Sequence, residues 1–259
     1  MELNNQVALV TGAGQGIGKA AAMALAAAGA HVVVADIDRQ KAEATADAIL
    51  ARQKKALAVQ ADVGDLAEID RMVRQALDRF GQIDVLLNNA GVTRRADIMD
   101  LTEADWDRIH RVNAKGVFFC LQRVAREMIP RRSGRIINIA SIAGKGYEGT
   151  SNAAYAASKG AVIALTKTAA QQLGRHNINV NSVCPGVTRT ALSEANLLVR
   201  AQEAGVSVEE MDRRRAEVIP LKRANDPEDI AAMVVFLASP GARNITGQSF
   251  NIDGGLIPD

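Results

Sequence analysis

The segment TGAGQGIG at residues 11–18 decides the fold of this chain. It follows a run of apolar and β-branched residues, Val7–Val10, and precedes an Ala-rich stretch of helical character that runs to Gly29. Glycine allows backbone angles that other residues avoid, it lets the main chain approach a bound group closely, and a helix N-terminus favours anions. The segment therefore predicts a strand, a tight turn and a helix that together bind the pyrophosphate of a dinucleotide.

The glycines of this segment have the spacing GxxxGxG. This departs from the usual GxGxxG fingerprint, whose last glycine would fall on Ile17. A glycine-rich turn alone is a weak signal, and an ordinary tight connection between strand and helix is the alternative. Because the turn follows the first strand, we favour cofactor binding. The predicted contact residues are Gly12, Gln15, Gly16, Ile17 and Gly18.

Short runs rich in β-branched residues alternate along the chain with longer Ala- and charge-rich stretches of helical period. This alternation implies crossover connections and a parallel sheet, and strands that are apolar at nearly every position fit a sheet covered on both faces. We predict an α/β fold, a single-domain Rossmann-type doubly wound sheet of seven mostly parallel strands with helices on both faces, over residues 1–259. The predicted strands are Val7–Val10, His31–Ala35, Ala56–Gln60, Ile83–Leu87, Arg135–Ile139, Asn179–Val183 and Ser249–Ile252.

The charge balance argues against a nucleic-acid partner. The 31 basic and 29 acidic residues nearly cancel and are interspersed, so no basic field for a phosphate backbone is expected. The densest basic run, Arg213–Arg215, alternates with glutamates in a segment of helical character, which favours a solvated helix face.

The sequence offers no metal or disulfide framework and no sign of a membrane segment. Cys120 and Cys184 lack CxxC spacing, and the three histidines are scattered. The N-terminus lacks the basic start of a signal peptide, and no apolar run reaches the roughly 20 residues of a membrane helix. We expect a cytoplasmic protein without a metal or a membrane partner.

Asp36 ends the second predicted strand, where a carboxylate can accept hydrogen bonds from both hydroxyls of an adenine ribose. A 2′-phosphate would meet this negative charge, and neither Gln15 nor Ile37 supplies a cation. The alternative role for Asp36 is to cap the following helix, but Asp38 can do this itself. The sequence therefore predicts NAD as the cofactor, with Asp36 and Ile37 in its site.

Polar residues also follow the third and fourth predicted strands. Asp62 and Val63 come after the third strand, and Asn88-Asn89-Ala90-Gly91 follows the fourth. Adjacent asparagines at a strand end are commonly turn formers. The Ala-Gly that follows instead suggests backbone packed close to a ligand.

The candidate catalytic residues follow the fifth strand. Ser141 is followed by Tyr155 and Lys159, whose spacing of four residues places the phenol and the ammonium on one helical face. A lysine cation would favour the phenolate and lower the pKa of the tyrosine, which could then exchange a proton with a substrate hydroxyl. Ser141 could hydrogen-bond the same oxygen. A Tyr-x-x-x-Lys pair alone is usually a surface pair, so the assignment depends on the dinucleotide loop and Ser141 beside it.

These motifs together resemble the classical short-chain dehydrogenase/reductase family, of the TGxxxGxG and YxxxK type, over nearly the whole chain. The resemblance implies that Asn113 is a fourth catalytic residue, which holds a water that links Lys159 to a proton relay. It also implies that Lys159 binds the nicotinamide ribose and that Thr188 reaches the carboxamide, and it implies a homotetramer. The further cofactor-binding residues that it implies are Asp62, Val63, Asn89, Gly91, Tyr155, Pro185, Gly186, Val187 and Thr188.

Substrate preference is expected in residues 190–220, a long segment after the sixth strand that can cover the pocket. Family members with such an insertion often act on polyols, sugars or small diols, so we expect an NAD-dependent oxidoreductase that interconverts a secondary alcohol of that kind and its ketone by hydride transfer. The alternative is a 3-oxoacyl thioester reductase, acting on an acyl-carrier-protein or CoA substrate, which would normally favour NADPH. A non-catalytic NAD-binding protein is the third possibility, against which the proton-relay residues argue. No cationic pocket is evident, although Arg94 and Arg95 could approach one.

Overall fold

The structure, a computed structural model, describes residues 2–147 and 151–258. Seven strands form one sheet in the order β3-β2-β1-β4-β5-β6-β7, and every neighbouring pair is parallel. The predicted doubly wound α/β fold is confirmed. The strands are β1 (Val7–Thr11), β2 (His31–Asp36), β3 (Ala56–Gln60), β4 (Val85–Asn88), β5 (Gly134–Ile139), β6 (Ile178–Pro185) and β7 (Ser249–Ile252).

Helices lie on both faces of the sheet because alternate strand residues point to opposite sides. Val10 and Val32 belong to one buried apolar cluster, which covers one face of the sheet, whereas Leu9 and Val33 belong to another, which covers the opposite face. The helices are α1 (Gly16–Ala27), α2 (Arg39–Leu50), α3 (Leu66–Phe80), α4 (Glu103–His110), α5 (Val117–Arg131), α6 (Ala153–Leu173), α7 (Ala191–Ala204), α8 (Val208–Glu217) and α9 (Pro227–Ala238).

The order of the strands fixes where a ligand can bind. Central β1 pairs with β2 on one side and β4 on the other, so the chain direction across the sheet reverses between β1 and β4. Doubly wound sheets bind ligands at such a switch point, beyond the carboxyl ends of the strands. The glycine-rich segment lies at this point, between β1 and α1.

The element boundaries differ from the sequence predictions by one or two residues. Strand β4 begins at Val85 rather than Ile83, while β1 and β2 each extend one residue further, to Thr11 and Asp36. Asp65 caps α3, because its side chain accepts hydrogen bonds from two backbone amides of the first turn of that helix.

Residues 191–217 form two helices, α7 and α8. Leu197 and Ala201 of α7 and Met211 of α8 are buried against each other in a small apolar cluster of their own. Across the described ranges, we find no helix with the length and apolarity needed to cross a membrane.

Candidate active site

Glycines let the turn between β1 and α1 pack closely against itself and against the residues after β4. Gly12 has φ +62°, and a Cβ there would lie 2.8 Å from Ala90 Cα. A Cβ on Gly18 would overlap the Gly12 carbonyl oxygen. Gln15 caps α1 with no side-chain hydrogen bond, so the side chains leave the first amides of that helix to a ligand. The turn fits the pyrophosphate of a dinucleotide.

Asn89 joins this turn to the end of β4. Its side-chain amide donates hydrogen bonds to the carbonyl oxygens of Thr11 (3.0 Å) and Gly12 (2.9 Å). At Gly91, a Cβ would lie 3.4 Å from Asn113 Oδ1 and 3.6 Å from Lys159 Nζ. The two predicted residues after β4 therefore connect the glycine turn to the predicted catalytic residues.

Asp36 lies beside the glycine turn and is mostly buried. Its Oδ2 accepts a hydrogen bond from the Gly14 amide at 2.8 Å, and its Oδ1 accepts one from the Asp38 amide at 3.0 Å. Asp38 caps α2, so Asp36 is not needed as the cap of that helix. Each carboxylate oxygen has a second lone pair that a ribose hydroxyl could use.

The cations near Asp36 are paired with carboxylates. Arg39 contacts Glu43 at 2.7 Å, and Lys41 lies 3.5 Å from Asp38. The neighbouring Ile37 is 63% exposed and carries no charge. The surroundings of Asp36 therefore provide no free cation from these side chains for a 2′-phosphate.

Asp62 and Val63 lie at the same edge of the sheet, after β3. Asp62 Oδ2 accepts a hydrogen bond from the Arg111 guanidinium at 2.9 Å, and Val63 is buried. The Val63 carbonyl oxygen lies 2.8 Å from where a Cβ on Gly116 would be. The pair is thus fixed against the segment 111–116, in which Asn113 lies.

Ser141, Tyr155 and Lys159 meet beyond the end of β5. The Ser141 hydroxyl interacts with the Tyr155 phenol and lowers its pKa. Lys159 Nζ lies 5.7 Å from the centre of the Tyr155 ring and donates a hydrogen bond to the Ile139 carbonyl oxygen at 2.7 Å. The structure thus brings together the three residues that the sequence predicted to form one catalytic site.

The pKa of the tyrosine moves opposite to the sequence prediction. Burial raises the pKa of Tyr155, and the hydrogen bond with Ser141 only partly offsets that increase. Burial also lowers the pKa of Lys159 to about 8. The prediction that the lysine lowers the tyrosine pKa is therefore wrong for this structure, because desolvation of the phenol dominates. The arrangement holds Tyr155 as a protonated phenol.

Asn113 lies in one turn of π-helix, Arg111–Gly116, between α4 and α5. It is fully buried. Its Nδ2 donates hydrogen bonds to the Val92 carbonyl oxygen (2.9 Å) and to Ser158 Oγ (3.1 Å), and its Oδ1 accepts one from the Val92 amide. The side chain therefore ties the loop after β4 to the turn of α6 that carries Lys159.

Sequence reasoning missed two residues at this site. Asn152 caps α6 through its Oδ1, which accepts a hydrogen bond from the Tyr155 amide, and its Nδ2 donates to Thr93 Oγ1 at 3.3 Å. An asparagine three residues before Tyr155 is a usable capping signal. Buried Cys184 interacts electrostatically with both Tyr155 and Lys159, and no pattern in the sequence indicates this.

A cavity of about 570 Å³ opens in front of these residues. Ser141 and Tyr155 line one side, and Ile17 of the glycine turn also reaches it. The predicted nicotinamide segment after β6 lines it too, in the form of Pro185, Gly186, Val187 and Thr188. Among the described residues, no group of three or more His, Cys, Asp or Glu side chains could hold a metal ion.

Helices α7 and α8 supply the opposite wall of the cavity, including Arg200, Arg214 and Arg215. The prediction of a solvated face for Arg213–Arg215 is wrong for Arg215, whose side chain is 9% exposed, whereas Arg213 and Arg214 remain exposed. Arg94 and Arg95 do not line the cavity. Their guanidinium groups contact Asp105 and Glu203, at 2.7 and 2.8 Å.

Comparison with known proteins places this geometry in a family. A family model described as enoyl-(acyl carrier protein) reductase matches residues 12–257. A 3-oxoacyl-[acyl-carrier-protein] reductase from Synechocystis sp. is 42% identical, with 98% of each chain covered. The (2S)-[(R)-hydroxy(phenyl)methyl]succinyl-CoA dehydrogenase subunit BbsD from Thauera aromatica is 40% identical, again with 98% of each chain covered. A solved structure of NAD+-bound xylitol dehydrogenase is 33% identical with a TM-score of 0.91, covering 98% of this chain and 100% of that one.

Proposed function

This chain belongs to the short-chain dehydrogenase/reductase family, and we propose that it interconverts a secondary alcohol and a ketone with NAD(H) as hydride carrier. It is an oxidoreductase with a site for a nicotinamide dinucleotide. One observation carries the proposal. The hydroxyl-bearing side chains of Ser141 and Tyr155 line the same cavity, and the ammonium of Lys159 lies 5.7 Å from the centre of the Tyr155 ring.

The residues around the glycine turn fit a dinucleotide. At Gly12 and Gly18 a Cβ would collide with Ala90 and with the Gly12 carbonyl oxygen, so glycine is what lets the turn fold this closely, and the first amides of α1 would hold the pyrophosphate. The adenine half would lie against Asp36, Ile37, Asp62 and Val63, and the nicotinamide half against Asn89, Gly91, Lys159 and residues 185–188. When bound, the nicotinamide supplies or accepts the hydride.

The preference for NAD over NADP is proposed from the charge at the end of β2. Asp36 is held in place by the amides of Gly14 and Asp38, and the nearby cations Arg39 and Lys41 are paired with carboxylates. A 2′-phosphate there would face a fixed negative charge without a compensating cation. The ribose hydroxyls of NAD instead match the free lone pairs of this carboxylate.

Proton transfer is assigned to Tyr155. In ketone reduction, its protonated phenol donates to the carbonyl oxygen while Ser141 donates a hydrogen bond to the same oxygen. The raised pKa of Tyr155 favours this donor form. Lys159 stabilises the phenolate that forms and, through Asn113, stays aligned with the loop after β4. The family resemblance implies a water beside Asn113, and we propose that this water links Lys159 to a proton relay.

The relatives and the cavity lining support an acyl thioester substrate better than the polyol, sugar or diol expected first from the sequence. Two of the relatives act, by name, on acyl thioesters, whereas a polyol is named for one solved structure at lower identity. Tyr147, Leu197, Met211 and Val218 give the substrate side of the cavity an apolar surface, which suits an acyl chain better than a polyol. We therefore propose a 3-oxoacyl or 3-hydroxyacyl thioester, with residues 190–220 as the segment that covers it. We also propose that the protein forms a homotetramer, because the family resemblance implies one.

A substrate panel tests this function. The purified protein is assayed in both directions with NAD(H) and NADP(H) on acetoacetyl-CoA and 3-hydroxybutyryl-CoA, and on xylitol, sorbitol and butane-2,3-diol. We expect the highest kcat/KM for a thioester with NAD(H). Faster turnover of a polyol would restore the first expectation, and NADH binding without turnover of any compound would indicate the non-catalytic alternative.

A further inference from the structure

The charge of the cavity wall is one-sided. Of the described residues that line the cavity, three are charged, and all three are arginines: Arg200 on α7, and Arg214 and Arg215 on α8. The two helices also carry six acidic side chains, and none of these lines the cavity. The wall that faces the substrate is therefore cationic, although the charges of the whole chain nearly balance.

The arginines face the cavity because of helical register. The lining residues of α7 are Ser193, Asn196, Leu197 and Arg200, and those of α8 with its C-cap are Met211, Arg214, Arg215 and Val218. Both sets follow the spacing i, i+3, i+4 and i+7, which is one face of a helix. Each helix thus presents an apolar side chain, followed one turn later by arginine, to the same space. The packing of Leu197 against Met211 holds the two faces together.

The three arginines differ in how far their charge is already neutralised. Arg215 is 9% exposed and bonds Asp212 and Glu194, so it joins α8 to α7. Arg214 is 53% exposed, and among the residues that the structure describes it pairs with Glu210 alone, which it shares with Arg213. Arg200 is exposed, and in the part of the chain that the structure describes no hydrogen bond or ion pair involves it. Arg200 and Arg214 therefore retain capacity for an anion.

We infer that Arg200 and Arg214 form an anion subsite, which binds a carboxylate or phosphate group that the substrate carries away from the reacting carbon. The inference rests on the proposed function, because it assigns the substrate end of the same cavity. Guanidinium groups bind both kinds of anion with paired hydrogen bonds, and the apolar residues one turn away would contact the chain between the anion and the carbonyl. Arg215 is a positioning residue for this subsite.

The test compares charged and neutral forms of one ketone. Acetoacetate is paired with methyl acetoacetate, and acetoacetyl-CoA with its N-acetylcysteamine thioester, which has no phosphate. The variants are Arg200→Gln, Arg214→Gln and the double variant. Arg213→Gln is the matched control, since Arg213 shares Glu210 with Arg214 but is 69% exposed and does not line the cavity. Thermal midpoints show that each variant folds.

We expect the double variant to lower kcat/KM for the charged member of one pair by roughly 10- to 100-fold, the loss typical of a charged hydrogen bond. The neutral member, the control variant and the Kd of NADH should change by less than about twofold. If the anion is a carboxylate, the loss is seen for acetoacetate but not for methyl acetoacetate. If it is a phosphate, the loss is seen for acetoacetyl-CoA but not for the N-acetylcysteamine thioester. Equal losses for charged and neutral members, or a weakened Kd for NADH that accounts for the loss, would overturn the inference.

Binding separates this inference from the proposed function. If the wild type turns over none of the four ketones, the proposed function fails, and the subsite is judged by calorimetric titration of CoA and of acetoacetate into the NADH-bound protein. Weaker binding of either anion by about tenfold in the double variant, but not in Arg213→Gln, would support the subsite. Equal affinity in wild type and double variant would refute it.

Discussion

Asn152 caps the helix that carries Tyr155, because its Oδ1 accepts a hydrogen bond from the Tyr155 backbone amide at 2.8 Å. The same side chain donates to Thr93 Oγ1 and to the Arg94 carbonyl oxygen, in the loop after β4. One buried asparagine therefore sets the position of the proposed proton donor relative to the loop after β4.

Replacing this cap should destabilise the protein. We expect Asn152→Ala to lower the free energy of unfolding by about 1 kcal/mol or more, since it removes a helix cap and leaves the Tyr155 amide without its partner. Urea denaturation measures the change. Asn152→Ser retains a capping oxygen and should recover part of the loss, and equal stability of the Ala variant and wild type would contradict the assigned cap.

Adding a methyl group at Gly18 should abolish cofactor binding. The new Cβ would overlap the Gly12 carbonyl oxygen, so the turn must move away from the geometry that holds a pyrophosphate. We expect NADH binding, followed by its fluorescence, to weaken by at least about 100-fold in Gly18→Ala. Gly174→Ala is the control, because a Cβ there would meet nothing within 4 Å. Unchanged NADH affinity in Gly18→Ala would show that this turn does not bind the cofactor.

Removing the charge of Asp36 should relax the preference for NAD. We expect Asp36→Asn to lower the ratio of kcat/KM for NAD over NADP by about tenfold or more, because the variant loses the charge that repels a 2′-phosphate. Asp47→Asn removes an exposed carboxylate further along α2 and should leave the ratio within about twofold. An unchanged ratio in Asp36→Asn would mean that another residue sets the cofactor preference.

The buried Lys159 should make stability depend on pH. Burial lowers its pKa from 10.5 to about 8, so between these values the unfolded chain binds more protons than the native protein and the free energy of unfolding rises with pH. The cost of the buried charge is fully present below pH 8. Relative to Lys159→Met, wild-type stability should therefore increase by about 2 kcal/mol from pH 7 to pH 10. If the free energies of unfolding of wild type and Lys159→Met, measured by urea denaturation, change equally with pH, the lowered pKa is contradicted.

The sequence predicted the fold and the main site residues because both follow local patterns. Alternating β-branched and Ala-rich runs specify the parallel sheet, and its topology then gathers Asp36, Asn89, Ser141 and the glycine turn at one edge. What failed depends on packing over long distances. The protonated state of Tyr155 follows from burial by several elements, which spacing along the chain does not show.

The arginines of α8 illustrate the same limit. In sequence, Arg213, Arg214 and Arg215 are equivalent members of one charged run beside glutamates. Only the packing of Met211 against Leu197 of α7 decides that Arg214 and Arg215 face the cavity while Arg213 does not. The orientation of a short helix on a cavity cannot be deduced from its charge pattern alone.

The central claim is that Tyr155 transfers the proton, and its removal tests that claim most directly. The measurement is kcat/KM for acetoacetyl-CoA reduction by Tyr155→Phe, together with the Kd of NADH. We predict that kcat/KM falls by roughly 10² to 10⁴, the range for loss of a positioned general acid, while the Kd of NADH stays within about threefold of wild type. Near-normal kcat/KM in a variant that binds NADH would contradict the mechanism.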